Sequence, residues 1–147
     1  MSIKEKIKTD LVTAMKAHDK DRVGTLRLIQ AGLRKKEIDT RKELDDAGMA
    51  ILLSGMVKQR QDSIDAFRKG NREDLVQKET KEMEIIQSYM PARLSSSDLE
   101  KAVLEAIQEA DAKSMKDMGA VMKIVMVKTA GQADGAAISQ LVRAKLS

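Results

Sequence analysis

Five cations and no carboxylate lie between Arg22 and Lys36: Arg22, Arg27, Arg34, Lys35 and Lys36. Lys20, Arg27, Arg34 and Arg41 are spaced seven apart, so on one helix they form a stripe that drifts by about 20° per step. Ammonium and guanidinium groups in such a row can follow a phosphate backbone. Glu37, Asp39 and Glu43 dilute the row further along, and on charge alone a solvated helix face explains it as well. The chain has one Phe, one Tyr and no Trp, which leaves little to stack on unpaired bases. Any RNA contact is therefore expected to act on backbone and shape.

Other chemistry is scarce. The absence of cysteine excludes disulfides, thiol nucleophiles, thiolate metal sites and iron–sulfur clusters. The single histidine, His18, argues against zinc and non-haem iron sites, which usually take two or three imidazoles. It stands at an expected helix C-terminus, where a bond to a free carbonyl is a sufficient role. Ser95-Ser96-Ser97 follows a proline and precedes a helical pattern, so it reads as a linker with an N-cap rather than a nucleophile. No phosphate loop, dinucleotide fingerprint or nucleophile elbow occurs, and Asp19-Lys20-Asp21 lacks the glycine and distal glutamate of a calcium loop. We expect no catalytic residue, no metal site and no cofactor.

The elements that must position the cations are helical. In 147 residues, 34% are charged and 1% aromatic, and Ala, Leu, Met, Lys, Glu and Gln dominate, which excludes a β-sandwich or barrel. Ile3, Ile7, Leu11 and Met15 suggest a first helix from Ile3 to about Ala17, opened by a Ser2/Glu5 capping box. Asp19 or Asp21 can cap a second helix carrying Val23, Leu26, Ile29 and Leu33 toward Ile38. A long third helix ends at Gly70, expected to take positive φ, and Asn71 is expected to cap a fourth. Pro91 is the only proline, and Tyr89 to Ser97 reads as the linker. Three short helices follow, capped by Ser97 with Glu100, by Ser114 with Asp117, and by Asp134 within the Gly131–Gly135 turn. Met118, Met122 and Met126 make a stripe that is expected to be core. The fold class is thus all-α and multihelical, with two subdomains, an N-terminal helical bundle over 1–92 and a small three-helix piece over 93–147.

The net charge of +4 lies wholly in residues 1–94, because 95–147 carry seven acids and seven bases. The N-terminus has no apolar secretory core and no run is long enough to span a membrane. A cytoplasmic protein without a membrane partner is expected.

Leu11-Val12, Ala14-Met15-Lys16-Ala17, Asp19-Lys20, Arg22 and Thr25-Leu26-Arg27-Leu28 together resemble the YqeY proteins. The same holds for Lys58 to Ile64, Gly70 to Leu75, Tyr89-Met90-Pro91, Lys116 to Met122 and Gly131 to Gly135. The match runs from end to end with its motifs in order. That family is related to the tail domain of GatB, a subunit of the tRNA-dependent amidotransferase, whose tail helps hold tRNA while other domains transamidate. The resemblance implies an all-helical GatB/YqeY-like fold of two subdomains and a tRNA partner. It also implies a protein partner in translation or tRNA aminoacylation. A carbon–nitrogen ligase label with glutamine as amide donor attaches to the family, but its catalytic residues have no counterpart here. Three readings remain: a tRNA-binding module, an accessory component of an amidotransferase, and a helical protein–protein adaptor. For the first, Lys20, Arg22, Arg27, Arg34, Lys35 and Arg41 are the expected contacts. Lys116, Lys123, Lys128 and Arg143 offer a second contact in the C-terminal part.

Overall fold

The structure, a computed structural model, describes residues 1–130 and 132–147. Among them are seven α-helices, one 3-10 turn and no strand. The chain divides into two compact units, Met1–Met90 and Pro91–Ser147.

The first unit contains α1 (Ile3–Lys16), α2 (Lys20–Thr40), α3 (Asp46–Lys69) and α4 (Glu73–Gln87). Local sequence sets most of their starts. Ser2 and Glu5 form the reciprocal capping box of α1. Asp19 caps α2 by accepting from the Arg22 amide, and Asp45 caps α3 through Gly48 N–H. Ile7, Leu26, Ile29, Met49, Leu53, Met56, Ile86 and Tyr89 make the core, and the α3–α4 pairing is the most extensive in it. Arg60 of α3 lies against Glu82 and Glu79 of α4, with Nε at 3.4 Å and 4.0 Å from their carboxylate oxygens.

Several local expectations need correction. Met15 is 47% exposed and Ala14 is buried instead. Steps of four residues rotate by about 40° each, so the stripe from Ile3 has left the core by its fourth member. Ile38 is 68% exposed, because at 100° per residue it falls on the side of α2 away from Leu26 and Ile29. Gly70 has φ −85°; the left-handed residue is Asn71, at φ 57°, which its short polar side chain tolerates. Asn71 therefore does not cap α4. Arg72 occupies the cap position, makes no side-chain cap bond there, and pairs with Asp74 instead. Tyr89 is not a linker residue, since it is 5% exposed and part of the core.

The second unit contains α5 (Ser96–Glu109), a 3-10 turn (Met115–Asp117), α6 (Met118–Thr129) and α7 (Gly135–Leu146). Val103 and Ala106 of α5, Val121 and Val125 of α6, and Ile138, Val142 and Leu146 of α7 form its core. Ser95, not Ser97, caps α5, accepting from Asp98 N–H, so that helix starts two residues earlier than a Ser97 cap would allow. Ser114 and Asp117 do form a capping box, though on the 3-10 turn that precedes α6. Asp134 caps α7 through Ala136 N–H, while the Gly131 end of the expected turn lies outside the described residues. The methionine stripe of α6 is not the core. Val121, Val125 and Thr129 are buried, Met118 and Met122 are half-buried, and Met126 is exposed.

Candidate nucleic-acid interface

The buried side of α2 is fixed by Thr25, Leu26 and Ile29, with Leu33 half-buried beside them. At 100° per residue the opposite side carries Lys20, Gly24, Arg27, Ala31, Arg34, Lys35 and Ile38, all exposed. Lys20, Arg27 and Arg34 fall within about 40° of one another, at steps of about 10 Å along the axis. Small residues lie beside them, so this face is low between raised cationic side chains. An open depression of about 290 Å³ lies at its end, lined by Ala31, Arg34, Lys35, Ile38 and Asp39.

Electrostatics separates the expected contacts into free and engaged groups. Among the described residues, no ion pair or hydrogen bond involves the side chains of Lys20, Arg27, Arg34 or Lys35. Arg22 is different. Its Nη2 donates to the Tyr89 hydroxyl at 3.1 Å, and that hydroxyl donates to Asp10 Oδ2 at 2.6 Å. Arg22 also lies 3.8 Å from Asp10 Oδ2, and Lys6 Nζ sits 5.6 Å above the Tyr89 ring. Burial first, then the bond to the Asp10 carboxylate, pushes the Tyr89 phenol up to about 12; Arg22 works against both. Arg22 thus joins α1 and α2 to the segment after α4 rather than facing a ligand. Arg41 also leaves the row. It follows the last residue of α2 with φ 56°, so the seven-residue spacing loses its helical meaning there.

The second unit brings its four expected cations to no common row. Lys128 is 2.7 Å from Glu109 and 3.7 Å from Glu105, both on α5. The bond to Glu109 holds its ammonium above the ordinary lysine value. Lys116 stands on the 3-10 turn, Lys123 on α6 and Arg143 on α7, all exposed. The Asp10–Tyr89–Arg22 cluster is the polar feature that sequence reasoning misses. Tyr89 lies 79 residues from Asp10 and 67 from Arg22, and the signal available was a lone tyrosine in an otherwise aromatic-poor chain.

His18 follows α1 with φ 57°, at the position that usually favours glycine. Among the described residues no three His, Asp or Glu side chains converge to hold a metal ion, and no helix is long and apolar enough to cross a membrane.

Comparison with known proteins supplies the rest. The model of the Yqey-like protein family matches residues 4–146. Curated relatives bear the name "Altered inheritance of mitochondria protein 41, mitochondrial". The one from Eremothecium gossypii is 47% identical over 87 residues, covering 58% of this chain and 48% of its own length. The one from Lachancea thermotolerans is 45% identical over 85 residues, covering 57% and 46%. A third, from Pyrenophora tritici-repentis, is 30% identical over 125 residues, covering 82% and 69%. The chain spans about half the length of the first two. These names overturn the expectation of a cytoplasmic protein, since the relatives are named as mitochondrial. The physical reason is that a missing apolar core excludes only secretory and membrane-spanning segments; organelle targeting uses amphipathic, Arg-rich segments with no such core.

Proposed function

The chain belongs to the YqeY family, and from that premise we propose that it is a non-catalytic module that grips structured tRNA through the outward face of α2. One observation carries the reading. Lys20, Arg27 and Arg34 stand in line on an exposed face, joined by Lys35, with no ion-pair partner among the described residues. Arg22, off that line, is consumed by Asp10 and Tyr89. Unpaired cations at steps of about 10 Å suit a folded polyanion, since each phosphate contact releases counterions without base readout. The small side chains of Gly24 and Ala31 let a backbone approach the helix between the cations. The likeness to the GatB tail supports tRNA as the RNA, and a single buried tyrosine supports backbone contact over base stacking.

The test replaces Arg27 and Arg34 by Glu. Both side chains are exposed, so helicity and melting temperature should hold while tRNA affinity falls sharply. With about four phosphate contacts, log K should fall with log salt at a slope near 3, using about 0.7–0.9 per contact. A double variant that binds tRNA as tightly as the native chain would reduce the row to a solvated face.

A further inference from the structure

Charge in the second unit is unevenly spread over its helices, α5 carrying four acids against Lys101 alone. Asp98, Glu100, Glu105 and Glu109 all lie on α5, whereas α6 and α7 contain no carboxylate. Three ion pairs join the opposing sets: Lys128 of α6 with Glu105 and with Glu109, and Lys145 of α7 with Glu100 at 2.7 Å. The Lys128 pairs use the side of α6 that packs on α5. The outer side is left with Gly119, Ala120, Lys123, Met126 and Val127, all exposed, Val127 at 66%. Met115 on the preceding turn is exposed as well. A surface helix ordinarily turns a polar face to water; α6 instead presents valine, methionine and small residues around one lysine.

We propose that this outer face of α6 docks an amphipathic helix of another protein that carries Asp or Glu beside its apolar stripe. Three features specify that occupant. Gly119 and Ala120 are low enough for close helix–helix approach, and a Cβ at Gly119 would meet nothing within 4 Å. Met115 and Met126 give an adaptable apolar surface that repacks around a foreign side chain. Lys123 stands in the middle of that surface, with no ion pair among the described residues, and Lys116 stands on the turn before it. Asp117 is the carboxylate nearest in sequence, and it accepts from the Lys113 and Ser114 amides. An acidic helix satisfies Lys123; a second copy of this face would oppose it with another Lys123. The proposal uses a different unit and different residues from the tRNA reading and stands or falls separately.

The experiment measures fluorescence anisotropy on the full chain with two synthetic amphipathic peptides, one of Leu and Glu and its counterpart of Leu and Lys. The acidic peptide should bind saturably and the basic one should not. Lys123→Glu and Val127→Asp should each weaken it about tenfold or more, with helicity unchanged. The Arg27→Glu, Arg34→Glu variant should bind it as the native chain does. Equal binding of both peptides, no saturation by the acidic one, or indifference to Val127→Asp would overturn the proposal. A concentration-dependent dimer abolished by Val127→Asp would assign the face to a second copy, and loss of tRNA binding in Val127→Asp would assign it to RNA; both also overturn it.

Discussion

The phenol of Tyr89 can be titrated in isolation, because the chain has one tyrosine and no tryptophan. Its ordinary value is 10.0 and in the folded unit it is pushed up to about 12. A raised value means that the folded state holds the proton more tightly than the unfolded one. The stabilisation is fully present below pH 10 and is lost as pH rises toward 12. At about 1.4 kcal/mol per unit the ceiling is near 3 kcal/mol. The Asp10 and Arg22 side chains keep 29% and 37% of their surface in solvent, so screening should reduce this to about 1–2 kcal/mol. The assay follows the tyrosinate absorption band and helical circular dichroism together from pH 9 upward. Ionisation should centre well above pH 10 and coincide with any loss of helix. In denaturant it should return to about 10. Asp10→Asn should move the native midpoint down, because it removes the carboxylate that raises it. A native midpoint at 10 with full helix content would refute the cluster as drawn.

Arg60→Ala leaves Glu79 and Glu82 facing each other without a cation between α3 and α4, and should cost about 2–3 kcal/mol in chemical denaturation; Glu79→Gln and Glu82→Gln added to Arg60→Met should recover most of it. His18→Gly removes a side chain from a left-handed position and should raise stability by about 0.5–1 kcal/mol, read as a melting temperature higher by a few degrees. The Glu37 carboxyl accepts from Lys4 and from Leu44 N–H, which hold it below its ordinary 4.5. That contribution is present above about pH 4.5 and is lost as pH falls, so Glu37→Gln should flatten the acid limb of a stability–pH curve measured by denaturant melts.

What can be read from the sequence follows the range of the interaction. The Ser2/Glu5 box and the Asp134 cap are local hydrogen bonds, legible because a few neighbouring residues contain all the chemistry, whereas the choice of Asp19 over Asp21 as the cap of α2 stays open in the sequence. Choosing Ser95 over Ser97 requires knowing where α5 meets its own core, and three adjacent serines look alike. The Gly70–Asn71 reversal has the same origin, since two adjacent residues both tolerate left-handed backbone. Stripes such as Ile3 to Met15 and Met118 to Met126 mislead because a four-residue step overshoots the helical period. The cation row on α2 is visible as a row, for seven-residue spacing is nearly in phase. Its division is not. That Arg22 belongs to Asp10 and Tyr89, or that Lys128 belongs to Glu105 and Glu109, depends on contacts across the fold.

The excess of acids on α5 and of bases on α6 and α7 has a consequence for encounters in solution. With Arg93, the second unit, Pro91–Ser147, carries eight bases against seven acids, so at long range its net pull toward a polyanion or an acidic protein is weak. Separated charges nevertheless form a dipole, and in the field of such a body a dipole experiences a torque. The unit would turn the α6 and α7 side forward before any contact is made. Because a dipole's interaction decays faster than a monopole's and salt shortens it further, this alignment is confined to about one Debye length, near 10 Å at 0.1 M salt. The net charge of the first unit governs how often a partner arrives; the arrangement of charge in the second governs which way it faces on arrival.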